Sequence, residues 1–219
     1  AANPSTSFRV AYDAKYLYVY LRAVEAGQET HRHETDVAQD PAVHSNDAAE
    51  IFLQPGGPGT PYFQVAASPR GGYITYKWQD GEGGAWDAKD IQIAGHIDFD
   101  YWTLELAIAL ADLEVETPPT TQSWRANFCR NEQPGHLIYG AWSFTGGGFQ
   151  VPGRFGILDF ASPNAQTKSA LATIVGQVVN IDGAPLADIP IKAFGRVERS
   201  DQSGRFVFQG ILSMKLSCG

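Results

Sequence analysis

The chain has 219 residues, is rich in glycine (23) and aromatic residues (12%), is sparing in charged ones (18%), and carries a net charge of −8. Its length suits one large domain or a domain with a small companion, and its composition suits a β-rich globular protein rather than a helical bundle or a disordered chain. The acidic balance argues against a nucleic-acid partner, which needs clustered Lys and Arg, and no apolar run is long enough for membrane insertion.

No signal peptide is read at Ala1, because "AANPSTSF" lacks a basic start and an apolar stretch. Residues 7–24, "SFRVAYDAKYLYVYLRAV", hold two strand patterns around "DAK", the second rich in Tyr, Val and Leu as a buried strand is. Residues 25–47 are polar and aperiodic, which predicts a long loop of the kind that often carries function. Strands are then predicted at 49–54, 61–67, 72–78, 91–98, 101–109, 124–130, 137–143 and 155–160. Turn chemistry such as "PGGPG", "SPRGG", "DGEGG" and "NEQPG" separates most of them, and only "IALADL" hints at a helical turn. The pattern predicts an all-β protein, an antiparallel sandwich or jelly roll.

After Phe160 the character changes. "ASPNAQTKSALAT" reads as a linker, and strands resume in "IVGQVVNIDGAPLADIPIKAFGRVERSDQSGRFVFQGI", a second, smaller β module. The two cysteines, Cys129 and Cys218, fall in different modules and read as free thiols.

One strand raises a question. In "AEIFLQ" strand alternation puts Ile51 and Leu53 on one face and Glu50 with Phe52 and Gln54 on the other. A carboxylate on so apolar a strand is a surface charge, a structural ligand, or part of a recognition face.

Several segments answer together. "FRVAYDAKYLYVYLRAVE", "NDAAEIFLQP", "YFQVAASPRG", "YWTLELAIALADL", "WRANFCRNE", "AWSF" and "FQVPGRFGILDF" resemble, in order, the landmarks of the family 9 carbohydrate-binding modules and their wider DOMON-type relatives. The resemblance lies within residues 7–160 and implies a first domain over 1–160. Family members open with a strand ahead of Phe8 that has no counterpart here, so a shortened N-terminus and an open sheet edge are expected. "VGQVVNIDGAPLADIPIKA" and "SDQSGRFVFQGI" resemble the carboxypeptidase regulatory-like Ig-fold domains. This implies a linker over 161–171 and a small Ig-like sandwich over 172–219, incomplete because "LSMKLSCG" replaces the family's next strand.

A sugar site needs fixed polar groups for hydroxyls and aromatic rings for C–H faces. In the family two aromatics sandwich the sugar, one six residues before the strand glutamate and one just before the closing Pro-x-Lys/Arg-Phe-Gly. Here they match His44 and Phe149, the latter expected to be exposed after three glycines. The plain alternatives are a solvated loop histidine and a packing phenylalanine. Glu50 matches the glutamate that accepts sugar hydroxyls, and a hairpin would bring Gln64 onto its face. Asn127 and Arg130 are further candidates, on opposite faces by parity, with Arg130 alternatively the ion-pair partner of Glu50 or Glu105. Trp102, Trp124 and Trp142 read as core, whereas Trp86 in "GEGGAWDAKD" reads as a loop-borne secondary platform. His31, His33, Glu34, Asp36 and Asp40 form a solvated loop or a weak metal-ligand set, and the resemblance allows a structural calcium.

The resemblance thus implies a non-catalytic module, secreted or at the cell surface, that binds a polysaccharide or oligosaccharide of β-glucan or xylan type. It would tether covalently linked neighbouring domains, a glycoside hydrolase among them. Three alternatives stay open: a structural sandwich with a degenerate site, a DOMON-type haem domain using His44, His96 or His136, and an enzyme. Against the last, Asp47 and Glu50 point to opposite faces.

Overall fold

The computed structural model describes residues 6–24, 36–132, 138–160, 171–180, 183–193 and 196–212. The chain divides into two units, Ala1–Ser162 and Pro163–Gly219.

The first unit is built from two antiparallel sheets. The smaller has the order β1-β2-β8-β7, from β1 (Thr6–Tyr12), β2 (Tyr16–Val24), β7 (Ile91–Ile97) and β8 (Tyr101–Ala109). The larger runs β10-β9-β3-β4-β5-β6, from β3 (Ala48–Gln54), β4 (Tyr62–Ala67), β5 (Tyr73–Gln79), β6 (Glu82–Ala85), β9 (Ser123–Glu132) and β10 (Ile138–Ala141). A short strand, β11 (Gly156–Asp159), pairs with β9 on the edge that β10 also uses, so the two lie end to end.

Period-two patterning explains the layers. Leu17, Val19 and Leu21 of β2 and Trp102, Leu104, Leu106 and Ile108 of β8 face Ile51 and Leu53 of β3, Val65 of β4, and Trp124 and Phe128 of β9. Each such fully buried side chain contributes roughly 1.5–3 kcal/mol relative to exposure. The architecture is therefore the expected all-β antiparallel sandwich.

Three local readings change. Tyr16, Tyr18 and Tyr20 of β2 lie on the outer face of the smaller sheet, so that strand is buried on one side only. Residues 82–85 form a strand where a turn was expected. Asp80 and Gly81 both have positive φ (53° and 85°) and close a two-residue hairpin of the type that Asp-Gly favours. Trp142 is 44% exposed rather than core. It lies against Phe8 and Phe128 and over Gly156, where a Cβ would meet its ring at 2.5 Å. "IALADL" completes β8 and then makes the helical turn expected of it, with Leu113 N donating to Ala109 O at 3.3 Å.

The second unit shows two antiparallel pairs, β12 (Leu171–Gln177) with β15 (Arg205–Leu212) and β13 (Pro190–Ala193) with β14 (Arg196–Arg199). Ser200 is buried and joins its loops, accepting from Ile189 N at 3.0 Å and donating to Leu186 O at 2.6 Å. Among the described residues no helix is long and apolar enough to cross a membrane.

Candidate functional site

Strand β3 lies in the middle of the larger sheet and is buried on both faces. Its inner face meets the smaller sheet. Its outer face presents Glu50, Phe52 and Gln54, and Phe52 is covered by Phe149 and Phe155 from the loop before β11, with ring centroids 6.3 and 5.5 Å away. This loop forms a ridge across the outer face. On one side of it lies a cavity of about 460 Å³, with Glu50 and Asn131 among its lining and His44, Tyr139, Phe149 and Gln150 around them.

Three donors hold the Glu50 carboxylate. Gln64 Nε2 donates to Oε2 at 2.6 Å, Asn131 Nδ2 donates to Oε1 at 2.8 Å, and His44 Nδ1 lies 3.2 Å from the same Oε1. Gln64 is itself held by the indole N–H of Trp78, which donates to its Oε1 at 2.8 Å. The register explains the convergence. Phe52 pairs with Gln64 on β4 and with Asn127 on β9, so Gln64, Asn127, Cys129 and Asn131 share the outer face with Glu50. A carboxylate offers about four acceptor positions, so three donors leave about one for a ligand hydroxyl. Asn131 Oδ1 is buried with no hydrogen-bond partner.

His44 is placed by a short 3-10 turn, Pro41–Ser45. Asp40 caps it by accepting from Ala42 N at 2.9 Å, Asn46 Nδ2 closes it on Ala42 O at 2.7 Å, and buried Val43 anchors it against Ala48, Ala66 and Ile74. The imidazole stacks on Tyr76, with centroids 6.0 Å apart. Burial, then the Glu50 carboxylate, raises the phenol pKa of Tyr76 and also pushes up the Cys129 thiol.

The expected residues thus separate. His44, Glu50 and Phe149 line the cavity, and Gln64 sits beneath it, fully buried, as the support of Glu50. Phe149 is only 6% exposed, not the projecting ring expected, because it packs on Phe52 and edge-on to Tyr139.

Three expectations fail. Asn127 shares the face but is consumed by the fold: its Nδ2 donates to Ser143 O, and its Oδ1 accepts from Ser143 N and Phe128 N. Arg130 points to the opposite face. It donates to Val24 O at 2.9 Å, approaches Glu132 at 3.8 Å and lies over Trp102, so it pairs with neither Glu50 nor a ligand there. Trp86 is no platform. Thr75 binds it through two backbone-directed bonds, and its ring enters the core 4.8 Å from Phe63.

Asn131 and Tyr139 were not foreseen. Asn131 follows Asn127 and Cys129 on the same parity, a signal that could have found it, whereas Tyr139 arrives through the β10–β9 pairing, in which it faces Asn131. Of the loop ligands, His31, His33 and Glu34 lie outside the described residues, as does His136. Among the described residues no three His, Cys, Asp or Glu side chains come together as a metal group. His44 sits in the turn before β3, beside Glu50 of the larger sheet, whereas His96 is on β7 of the smaller sheet.

No protein-family model matches the chain, and no curated protein does. Solved structures do. A Bacteroides uniformis protein suspected of carbohydrate binding aligns over 72% of this chain and 78% of its own at 18% identity, with a TM-score of 0.60. A family 9 carbohydrate-binding module from Caldicellulosiruptor kristjanssonii in complex with cellotriose aligns over 75% and 80% at 18% identity and TM-score 0.54. A family 9 module from the same organism in complex with glucose aligns over 76% and 82% at 18% identity and TM-score 0.50. At this identity the shared property is the fold: the sandwich is of the kind found in family 9 carbohydrate-binding modules.

Proposed function

We propose that the first unit is a non-catalytic carbohydrate-binding module whose site is the cavity above Glu50. One observation carries this reading: a buried carboxylate, fixed by Gln64, Asn131 and His44, lies at the floor of a cavity walled by Phe149, Tyr139 and His44. Fixed acceptors beside apolar rings match the two surfaces of a pyranose. The ligand class is a β-glucan or xylan-type saccharide, in line with the cellotriose and glucose complexes of the fold's relatives. In this reading the protein acts outside the cell, linked to further domains such as a glycoside hydrolase, with residues 172–219 as an Ig-like spacer.

Isothermal titration of the chain against glucose, xylose and their β-linked oligomers tests the proposal. Tyr139→Ala is the informative variant, because Tyr139 is 61% exposed and its loss leaves the core intact. Binding that Tyr139→Ala and Glu50→Gln both weaken supports the site. Binding indifferent to both, or none to either sugar series, refutes it. The rival reading, a sandwich whose site has decayed, draws on the His44 ring being turned onto Tyr76 and tied to Glu50. A flat titration decides for it.

A further inference from the structure

The ridge over Phe52 has two sides. Beyond it, at the far end of β3, lies a second cavity of about 230 Å³, lined by Gln54, Thr60, Tyr62, Trp78, Asp80 and Gln150 among others. We propose that this cavity is a second saccharide subsite, which takes further units of a β-linked oligosaccharide anchored at Glu50. The proposal rests on the sugar-binding reading of the first cavity.

Its components repeat those of the first. Trp78 and Tyr62 supply rings that are parallel within 2°, centroids 5.9 Å apart. The indole is laid down on the sheet: a Cβ at Gly83 would meet three of its ring atoms at 2.7–2.8 Å, so the face of the ring covers that glycine. Gln54 is buried, its Nε2 donates to Thr60 O at 2.8 Å, and its Oε1 has no hydrogen-bond partner. The first cavity holds the same feature in Asn131 Oδ1. Native folds keep few unpaired buried oxygens, and here one residue lining each of the two cavities on this face carries one beneath the cavity surface. Asp80, exposed in the β5–β6 hairpin, adds a carboxylate at the rim.

Geometry joins the two cavities. Glu50 and Gln54 lie on the same face of one strand, four residues apart, about 13 Å along it. Gln150 lines both cavities from the crest of the ridge. A hydrogen-bond relay also crosses beneath, from Trp78 through Gln64 to Glu50. An oligosaccharide crossing the ridge meets the Glu50 carboxylate at one end, the Asp80 carboxylate at the other and the Gln150 amide in the middle.

The test is isothermal titration of the full chain with glucose and xylose, then with cellohexaose and xylohexaose. The variants are Gln54→Leu and Asp80→Gly. Glycine suits the positive φ at position 80, and Trp78 stays intact because its N–H also holds Gln64. The expected result is one hexasaccharide per chain, bound roughly tenfold or more tighter than the monosaccharide, with most of that gain lost in either variant and monosaccharide affinity unchanged. Equal affinity for short and long ligands overturns the subsite while leaving the Glu50 site standing, as does a gain that survives both substitutions. Absence of all binding overturns both readings. Urea midpoints of the variants establish that each is folded.

Discussion

Gln64 Nε2 reaches across from β4 to donate to Glu50 Oε2 at 2.6 Å, while Gln64 Oε1 accepts from Trp78 on β5. With Asn131 on β9, one carboxylate collects amides from the strands on either side of its own. Removing it should therefore act on stability as well as on binding. Glu50→Ala strands two buried amide donors, each worth roughly 1–3 kcal/mol when unpaired. A fall of about 2–6 kcal/mol in urea unfolding is expected, and Glu50→Gln, which can still accept, should lose less. Equal midpoints for Glu50→Ala and the parent would refute the network.

Cys129 faces the same network from β9 and is 1% exposed. Burial raises its thiol pKa, and the nearby Glu50 charge raises it further, so the reactive thiolate is suppressed. In a Cys218→Ser chain, a thiol-specific chromogenic reagent should report no reaction until denaturant is added. Rapid labelling of the native protein would show that the face opens.

Much of this was legible in the sequence, because strand alternation is a local property. The faces of β3 follow from "AEIFLQ", and the approach of Gln64 follows from a hairpin between neighbouring strands. Parity also placed Asn127 and Arg130 on opposite faces, but could not say that Asn127 is spent on Ser143 or that Arg130 caps the inner layer. Those facts depend on the pairing of β9 with β3, which joins residues far apart in the chain. Trp86 misled for another reason. Glycines 83 and 84 have low strand propensity, yet the Asp80-Gly81 turn imposes a strand there and the tryptophan after it turns inward.

Gly95 on β7 faces the turn between β4 and β5, where a Cβ would sit 2.0 Å from Pro69 O. That atom belongs to the backbone of the turn, not to the far end of a flexible side chain. Gly95→Ala should destabilise the sandwich by about 1–3 kcal/mol, the usual cost of overpacking. A thermal transition at the parent's temperature would show that the sheets can part at this corner without cost.

Tyr62 stands beneath the ridge, and burial pushes its phenol pKa up to about 12, against an ordinary value of about 10. Below about pH 10 the phenol is neutral in both folded and unfolded chains. Above it the unfolded chain releases the proton and the folded one retains it, so stability falls as pH rises from about 10 to about 12. Urea midpoints at about pH 9 and 11 should drop more for the parent than for Tyr62→Phe. Identical drops would show that the phenol is already ionised in the fold.

Phe52 carries the ridge on its ring, with Phe149 and Phe155 resting on it. The two hollows on either side therefore share a single prop. Shaving Phe52 would lower the crest and reshape both basins at once, whereas Tyr139 and Asp80, on the outer margins, touch one basin each. Changes at those margins would reshape one basin while sparing the other.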